Sequence, residues 1–114
     1  MKFSSALKLN HIFRRLYSSS AHANSYLVLY ARKNRTTTNR VGITVSKKLG
    51  HAVVRNRVRR RLREVYRLNE AMFQPGWDIV VVARSKVETA PFDKLTKSYL
   101  ALAKKLNLLV EENS

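Results

Sequence analysis

At 114 residues and 45% hydrophobic content, the chain is long enough for one modest core and too apolar to be a basic disordered tail. Its net charge of +16 is uneven: residues 1–63 hold 16 Lys and Arg and no acid, whereas residues 64–114 hold seven of each. The first part therefore repels itself and favours assembly with a polyanion. The absence of cysteine excludes a disulfide framework or a thiolate metal site. No apolar run approaches a membrane span and the N-terminus shows no secretory pattern, so one cytoplasmic domain over residues 1–114, with no membrane contact, is expected.

In chain order, Leu9, Ile12, Phe13, Leu16 and Tyr17 repeat at helical spacing behind Asn10, a good N-cap. This predicts a short helix over 10–17 that ends in the serines 18–20. Phe13 and Tyr17, four apart, share one edge of it. Residues 25–33 alternate as a strand, with Leu27, Leu29 and Ala31 on one face and Tyr26, Val28, Tyr30 and Arg32 on the other. A polar turn with Arg35 near its tip leads to a second strand at about 40–47. There Val41, Ile43 and Val45 point inward and Gly42, Thr44 and Ser46 outward. Such a hairpin resembles one wall of an open groove more than a two-sided core.

Lys47 and Lys48 lead past Gly50 into the densest stretch, residues 55–67, which holds seven arginines and a single acid, Glu64. At about 100° per residue, Val58, Leu62, Val65, Asn69, Met72 and Phe73 fall on one stripe with Tyr66 at its edge, predicting an amphipathic helix that runs to about Phe73. Arg60, Arg63 and Arg67 gather on the opposite side. A merely solvated face would interleave signs, whereas here the pairs Arg59/Arg63 and Arg63/Arg67 repel. The guanidinium keeps its charge and pairs bidentately with phosphate, so the helix reads as a nucleic-acid-binding element.

Gln74-Pro75-Gly76 stops that helix, and the β-branched run from Trp77 to Ala83 reads as a central strand buried on both faces. Asp78, at its start, is expected to cap or turn. Thr89-Ala90-Pro91 opens a last helix with Pro91 in its first turn and Asp93 at its positive end. Phe92, Leu95, Tyr99, Leu102, Leu106 and Leu109 form the apolar stripe of this helix. The fold class is α+β: three helices around a small mixed sheet of about four strands, three placed and a short fourth at an edge. By the general handedness rule the crossover through the arginine helix would be right-handed.

No Gly-rich phosphate loop, no cysteine nucleophile and no paired carboxylates before residue 64 are present. His11, His22 and His51 have no second ligand at metal spacing. Neither catalytic nor metal-binding residues are therefore expected in the protein.

The run Arg40-Val-Gly-Ile-Thr-Val-Ser-Lys-Lys-Leu-Gly-His-Ala-Val-Val-Arg-Asn-Arg-Val-Arg-Arg-Arg-Leu-Arg-Glu-Val-Tyr66 resembles the signature of the bacterial ribonuclease P protein subunit, and the likeness extends from about Leu9 to Leu106. It implies a sandwich like the second domain of ribosomal protein S5, with a left-handed βαβ crossover instead of the commoner hand. It also implies an accessory subunit of a ribozyme that removes the 5′ leader of precursor tRNA. The RNA and its bound Mg2+ would do the chemistry, with no protein partner required.

On this resemblance Arg55, Asn56, Arg57, Arg59, Arg60 and Arg63 would bind the catalytic RNA, and Arg67, Lys47 and Lys48 are expected to join them. Phe13, Tyr17 and Tyr30 would line a cleft for the single-stranded leader. Exposed aromatics beside a basic rim suit that task, since base stacking contributes roughly 1–3 kcal/mol per base. Arg61 stands beside the apolar stripe where family members often carry Leu, and is expected to snorkel past the core edge. A basic ribosomal protein needs the same helix without the cleft and is the nearest rival. A basic-region DNA binder would need heptads that Leu68 to Pro75 do not supply.

Overall fold

The computed structural model describes residues 4–6 and 20–110. In chain order these form β1 (Ser4–Ala6), β2 (Ser20–Ala23), β3 (Leu27–Lys33), β4 (Asn39–Val45), α1 (Ala52–Asn69), β5 (Trp77–Ala83) and α2 (Phe92–Lys105). The strands make one mixed sheet in the order β1-β4-β5-β3-β2. β4 runs parallel to β5 and to β1, while β3 is antiparallel to β5 and β2. The α+β class and the central place of Trp77–Ala83 match the sequence reading. The sheet has five strands instead of about four, because a short edge strand lies on each side. The expected helix over 10–17, with Phe13 and Tyr17, lies outside the described residues, and two α-helices are present among those described.

Strand alternation sorts the sheet into two faces. Leu27, Leu29, Ala31, Val41, Val45, Ile79, Val81 and Ala83 join Val58, Leu62, Val65 and Tyr66 of α1 and Leu95, Tyr99, Leu102 and Ala103 of α2 in one core. Val80 is also fully buried but points to the opposite face, outside that cluster. This is why β5 reads as apolar at every position from Ile79 to Ala83.

Several boundaries differ from expectation for local reasons. β3 starts at Leu27 and not at Ser25, because the Asn24 side-chain oxygen accepts from the N–H groups of Tyr26 and Leu27, both at 3.0 Å, and so closes a turn. β4 stops at Val45 because the Ser46 hydroxyl accepts from the Lys48 N–H at 3.2 Å and opens a 3₁₀ turn. α1 ends at Asn69, and the chain tightens into a 3₁₀ turn over Glu70–Met72. That change of phase turns Met72 out of the predicted stripe to 41% exposure. Phe73 then leaves helical geometry, and its ring meets Tyr66 at 4.9 Å and Tyr99 at 6.1 Å between centroids. At the start of α2, Pro91 holds the N-cap position and Phe92 is exposed instead of buried.

Asn39 ties these layers together. It is buried, donates to the Tyr66 hydroxyl at 3.1 Å and to the Gln74 carbonyl at 3.0 Å, and accepts from the Trp77 N–H at 2.8 Å. One side chain thus registers β4, the end of α1 and the start of β5, which fixes how the arginine helix lies on the sheet. Gly76 completes the corner: its φ is +89°, and a Cβ there would stand 2.7 Å from the Thr36 carbonyl oxygen.

Candidate nucleic-acid interface

α1 is built to face two ways. Val58, Leu62, Val65 and Tyr66 are at most 2% exposed, so apolar burial holds the inner side and the outer side is free of any packing duty. The helix begins at His51, whose side chain makes no cap hydrogen bond, and its first turn holds no acid. The positive end of the helix dipole is therefore left open beside the exposed Lys47 and Lys48 of the preceding 3₁₀ turn. Gly50, with φ +136°, makes that junction; Leu49 is buried just before it and anchors the turn.

The arginines of α1 fall into distinct groups. Arg57, Arg60 and Arg63 are exposed, and no hydrogen bond or ion pair ties them to any described residue. Arg59 is half-buried and donates to Asn56 Oδ1 at 3.2 Å, which holds two of the expected RNA-binding residues side by side. Arg55 is half-buried, and its Nε lacks a hydrogen-bond partner among the described residues. Arg67 forms a two-point ion pair with Glu64, with Nε at 2.9 Å from Oε2 and Nη2 against Oε1. That pairing holds the Glu64 carboxyl below its ordinary range, first through the hydrogen bond from Arg67, and raises the Arg67 guanidinium in turn. Arg67 keeps the exposed side of the helix expected of it, one and two turns from Arg63 and Arg60, but is partly neutralised by Glu64.

Arg61 serves the fold. Its guanidinium passes the core edge, as the snorkelling expectation had it, and donates to the carbonyls of Val87 at 3.4 Å and of Ala90. These carbonyls belong to the segment between β5 and α2, so Arg61 clamps that connection to α1.

On the sheet face turned away from both helices, Tyr30, Val80 and Gly42 form one cross-strand row and Arg32, Asp78 and Arg40 the next. Tyr30 is half-buried there, on the side that alternation assigned to it. Phe13 and Tyr17 lie outside the described residues. The expectation that Asp78 caps or turns is corrected. It is a paired residue of β5, 4% exposed, and its carboxylate accepts from Arg40 Nε at 2.7 Å, from Arg40 Nη2 at 2.5 Å and from Asn34 Nδ2 at 3.0 Å. The hydrogen bond to Asp78 raises the Arg40 guanidinium further above its ordinary pKa. Arg40 and Arg32 were missing from the expected site. The signal was available in the alternation that put Tyr30 outward, because Arg32 shares its parity and Arg40 shares that of Gly42.

Among the described residues no three His, Cys, Asp or Glu side chains come together in a metal-holding group, and no helix is long and apolar enough to cross a membrane. The arrangement is a folded cationic surface with an aromatic on the adjoining sheet face.

A family model described as Ribonuclease P matches residues 1–107. The ribonuclease P protein component of Clostridioides difficile is 44% identical over 106 residues, covering 91% of this chain and 93% of that protein. That of Natranaerobius thermophilus is 41% identical over 104 residues, 90% of each. Among solved structures, the Staphylococcus aureus RNase P protein superposes with a TM-score of 0.83 at 31% identity, over 92% of this chain and 97% of that one. The Thermotoga maritima RNase P protein gives 0.81 at 31% identity, over 94% and 98%. Sequence and fold agree along nearly the whole length, and the chain belongs to the ribonuclease P protein family.

Proposed function

We propose that the chain is the protein component of ribonuclease P, acting in a ribonucleoprotein endoribonuclease by neutralising the catalytic RNA and holding the 5′ leader of precursor tRNA. The observation that carries this reading is the outer flank of α1, where Arg57, Arg60 and Arg63 stand in solvent with no protein acceptor among the described residues. Three like charges on one flank cost energy until phosphates neutralise them. Lys47, Lys48, Arg55, Asn56 and Arg59 extend the same surface, and Arg67 contributes less because Glu64 already pairs with it. Tyr30, with Phe13 and Tyr17 by resemblance, would stack leader bases on the other side.

Hydrolysis at the phosphodiester is assigned to the RNA partner. The proposed contact surface offers cations, which bind phosphate but repel a divalent metal, so Mg2+ belongs on RNA oxygens in this reading. What the protein supplies is position and charge balance, with a cytoplasmic setting and no second protein required. Family membership also supports the finer fold inference, a left-handed β4-α1-β5 crossover like that of the second domain of ribosomal protein S5.

Reconstitution tests the division of labour. The RNA alone should cleave precursor tRNA in magnesium-rich, high-salt buffer, and the protein should restore cleavage at low salt and low magnesium. Protein freed of RNA by nuclease should cleave nothing under either condition; cleavage that survives nuclease treatment would overturn the assignment.

A further inference from the structure

The row Arg32, Asp78, Arg40 lies beside the row of Tyr30 on the sheet face turned away from α1 and α2, about 7 Å away along the strands. An extended nucleotide can span that separation. Asp78 holds Arg40 at Nε and Nη2, which fixes the plane of the guanidinium. Its Nη1 edge makes no hydrogen bond to any described residue. Asn34 adds a third donor to the same carboxylate, so the acceptor is locked from the β3–β4 turn as well.

Exposure separates the two partners: the Asp78 side chain is 5% exposed and that of Arg40 35%. A pair that served only to join β4 to β5 could be replaced by well-packed apolar residues at no cost in stability. Burying the anion and leaving the cation open is the arrangement that aims a charge at a third group. Arg32, exposed on the far side of Asp78, leaves the row with a net positive charge.

We infer that Arg40, oriented by Asp78 and seconded by Arg32, holds a backbone phosphate of the leader strand about one nucleotide from the base that stacks on Tyr30. This rests on the reading of the Tyr30 face of the sheet as the leader site and adds to it a phosphate contact that fixes the leader's register. Asp78 is a positioning residue in this scheme: it touches Arg40 and not the RNA.

The test uses reconstituted holoenzyme and a set of precursor tRNAs, each with one neutral methylphosphonate linkage at a successive leader position. With the wild-type protein, one linkage should stand out, its neutralisation weakening binding about tenfold, as expected for losing one charge-assisted contact. Arg40→Gln should bind the unmodified precursor about as weakly and lose the sensitivity at that linkage, with mature tRNA bound as before. Arg40→Lys retains the charge without the fork and should keep a reduced sensitivity at the same linkage, as should Asp78→Asn. Thermal unfolding shows which variants are folded. A folded Arg40→Gln that senses every linkage as the wild type does overturns the inference, and so does an Arg40→Lys variant whose losses are uniform along the leader if the Gln variant does not fold. Failure of the underlying reading looks different: Tyr30→Ala would then lose precursor and mature tRNA equally. A preserved Tyr30 discrimination without an Arg40-dependent linkage removes the phosphate contact alone.

Discussion

The outer flank of α1 and the sheet face turned away from α1 and α2 are both cationic, but they hold their charges in opposite ways. On α1, Arg57, Arg60 and Arg63 project from a helix anchored only on its other side; nothing among the described residues restrains them. On the sheet, Arg40 is gripped at two nitrogens by a buried carboxylate that Asn34 also holds. Loose guanidiniums can follow any phosphate within reach, and they neutralise without dictating register. A pinned one gives up that freedom and gains direction. In the proposed function the same residue type would serve bulk neutralisation in one region and placement in the other, and the difference comes from which neighbours the fold supplies.

The largest effect expected from this contrast is on stability. Removing the anion at Asp78→Ala should destabilise the protein by about 2–3 kcal/mol in urea unfolding, the low end for a broken buried pair because Arg40 keeps a third of its side chain in water. Glu64→Ala, which breaks the exposed pair with Arg67, should leave the urea midpoint close to that of the wild type. Equal losses from the two would erase the distinction between pinned and surface charge.

Binding sharpens it next. Tyr30→Ala should weaken leader-bearing precursor tRNA by roughly 1–3 kcal/mol while leaving mature tRNA and the catalytic RNA nearly unchanged. Equal losses for precursor and mature tRNA would mean that the Tyr30 face of the sheet does not hold the leader.

The smallest effect is at Glu64. The Glu64→Gln change frees Arg67 for phosphate and should steepen the salt dependence of RNA binding by less than about 0.9 in log–log slope. Because the carboxyl is depressed in the fold, the small stabilisation from this pair is present above its unfolded pKa and is lost only as the pH falls through the lower folded value. Titrating wild type and Glu64→Gln in parallel through the acidic range should show their stability difference vanishing there and not near neutrality.

Strong periodicity makes most of the elements legible in the amino-acid sequence. Leu27/Leu29/Ala31, Val41/Ile43/Val45 and the run from Trp77 mark β3, β4 and β5, and the 3.6-residue stripes mark α1 and α2. β1 and β2 carry no such mark: Ser4–Ala6 and Ser20–Ala23 are short, with no alternation of large apolar residues. They are strands because β4 and β3 offer them unpaired edges. Met72 and Phe92 depart from the expected stripes because a helical wheel assumes unbroken phase, and both stand where the helix begins or gives way to a tighter turn. The arginine-rich flank is legible from composition. The separate duties of Arg61 and Arg67 are only partly so: Glu64 stands three residues from Arg67, but the carbonyls of Val87 and Ala90 lie 26 and 29 residues from Arg61. The Arg40–Asp78 pair spans 38 residues, and parity can assign each a face but not bring them together.

In the proposed function the open flank of α1 neutralises RNA phosphates, whereas Arg61 serves the fold. The most direct test is the salt dependence of holoenzyme assembly for single alanine variants along this one helix, each checked for folding. Arg57→Ala, Arg60→Ala and Arg63→Ala should each flatten the log–log slope by about 0.7–0.9, whereas Arg61→Ala should leave the slope unchanged and lower the unfolding midpoint. Unchanged slopes in all three flank variants, or a flattening by Arg61→Ala as large as theirs, would contradict the account.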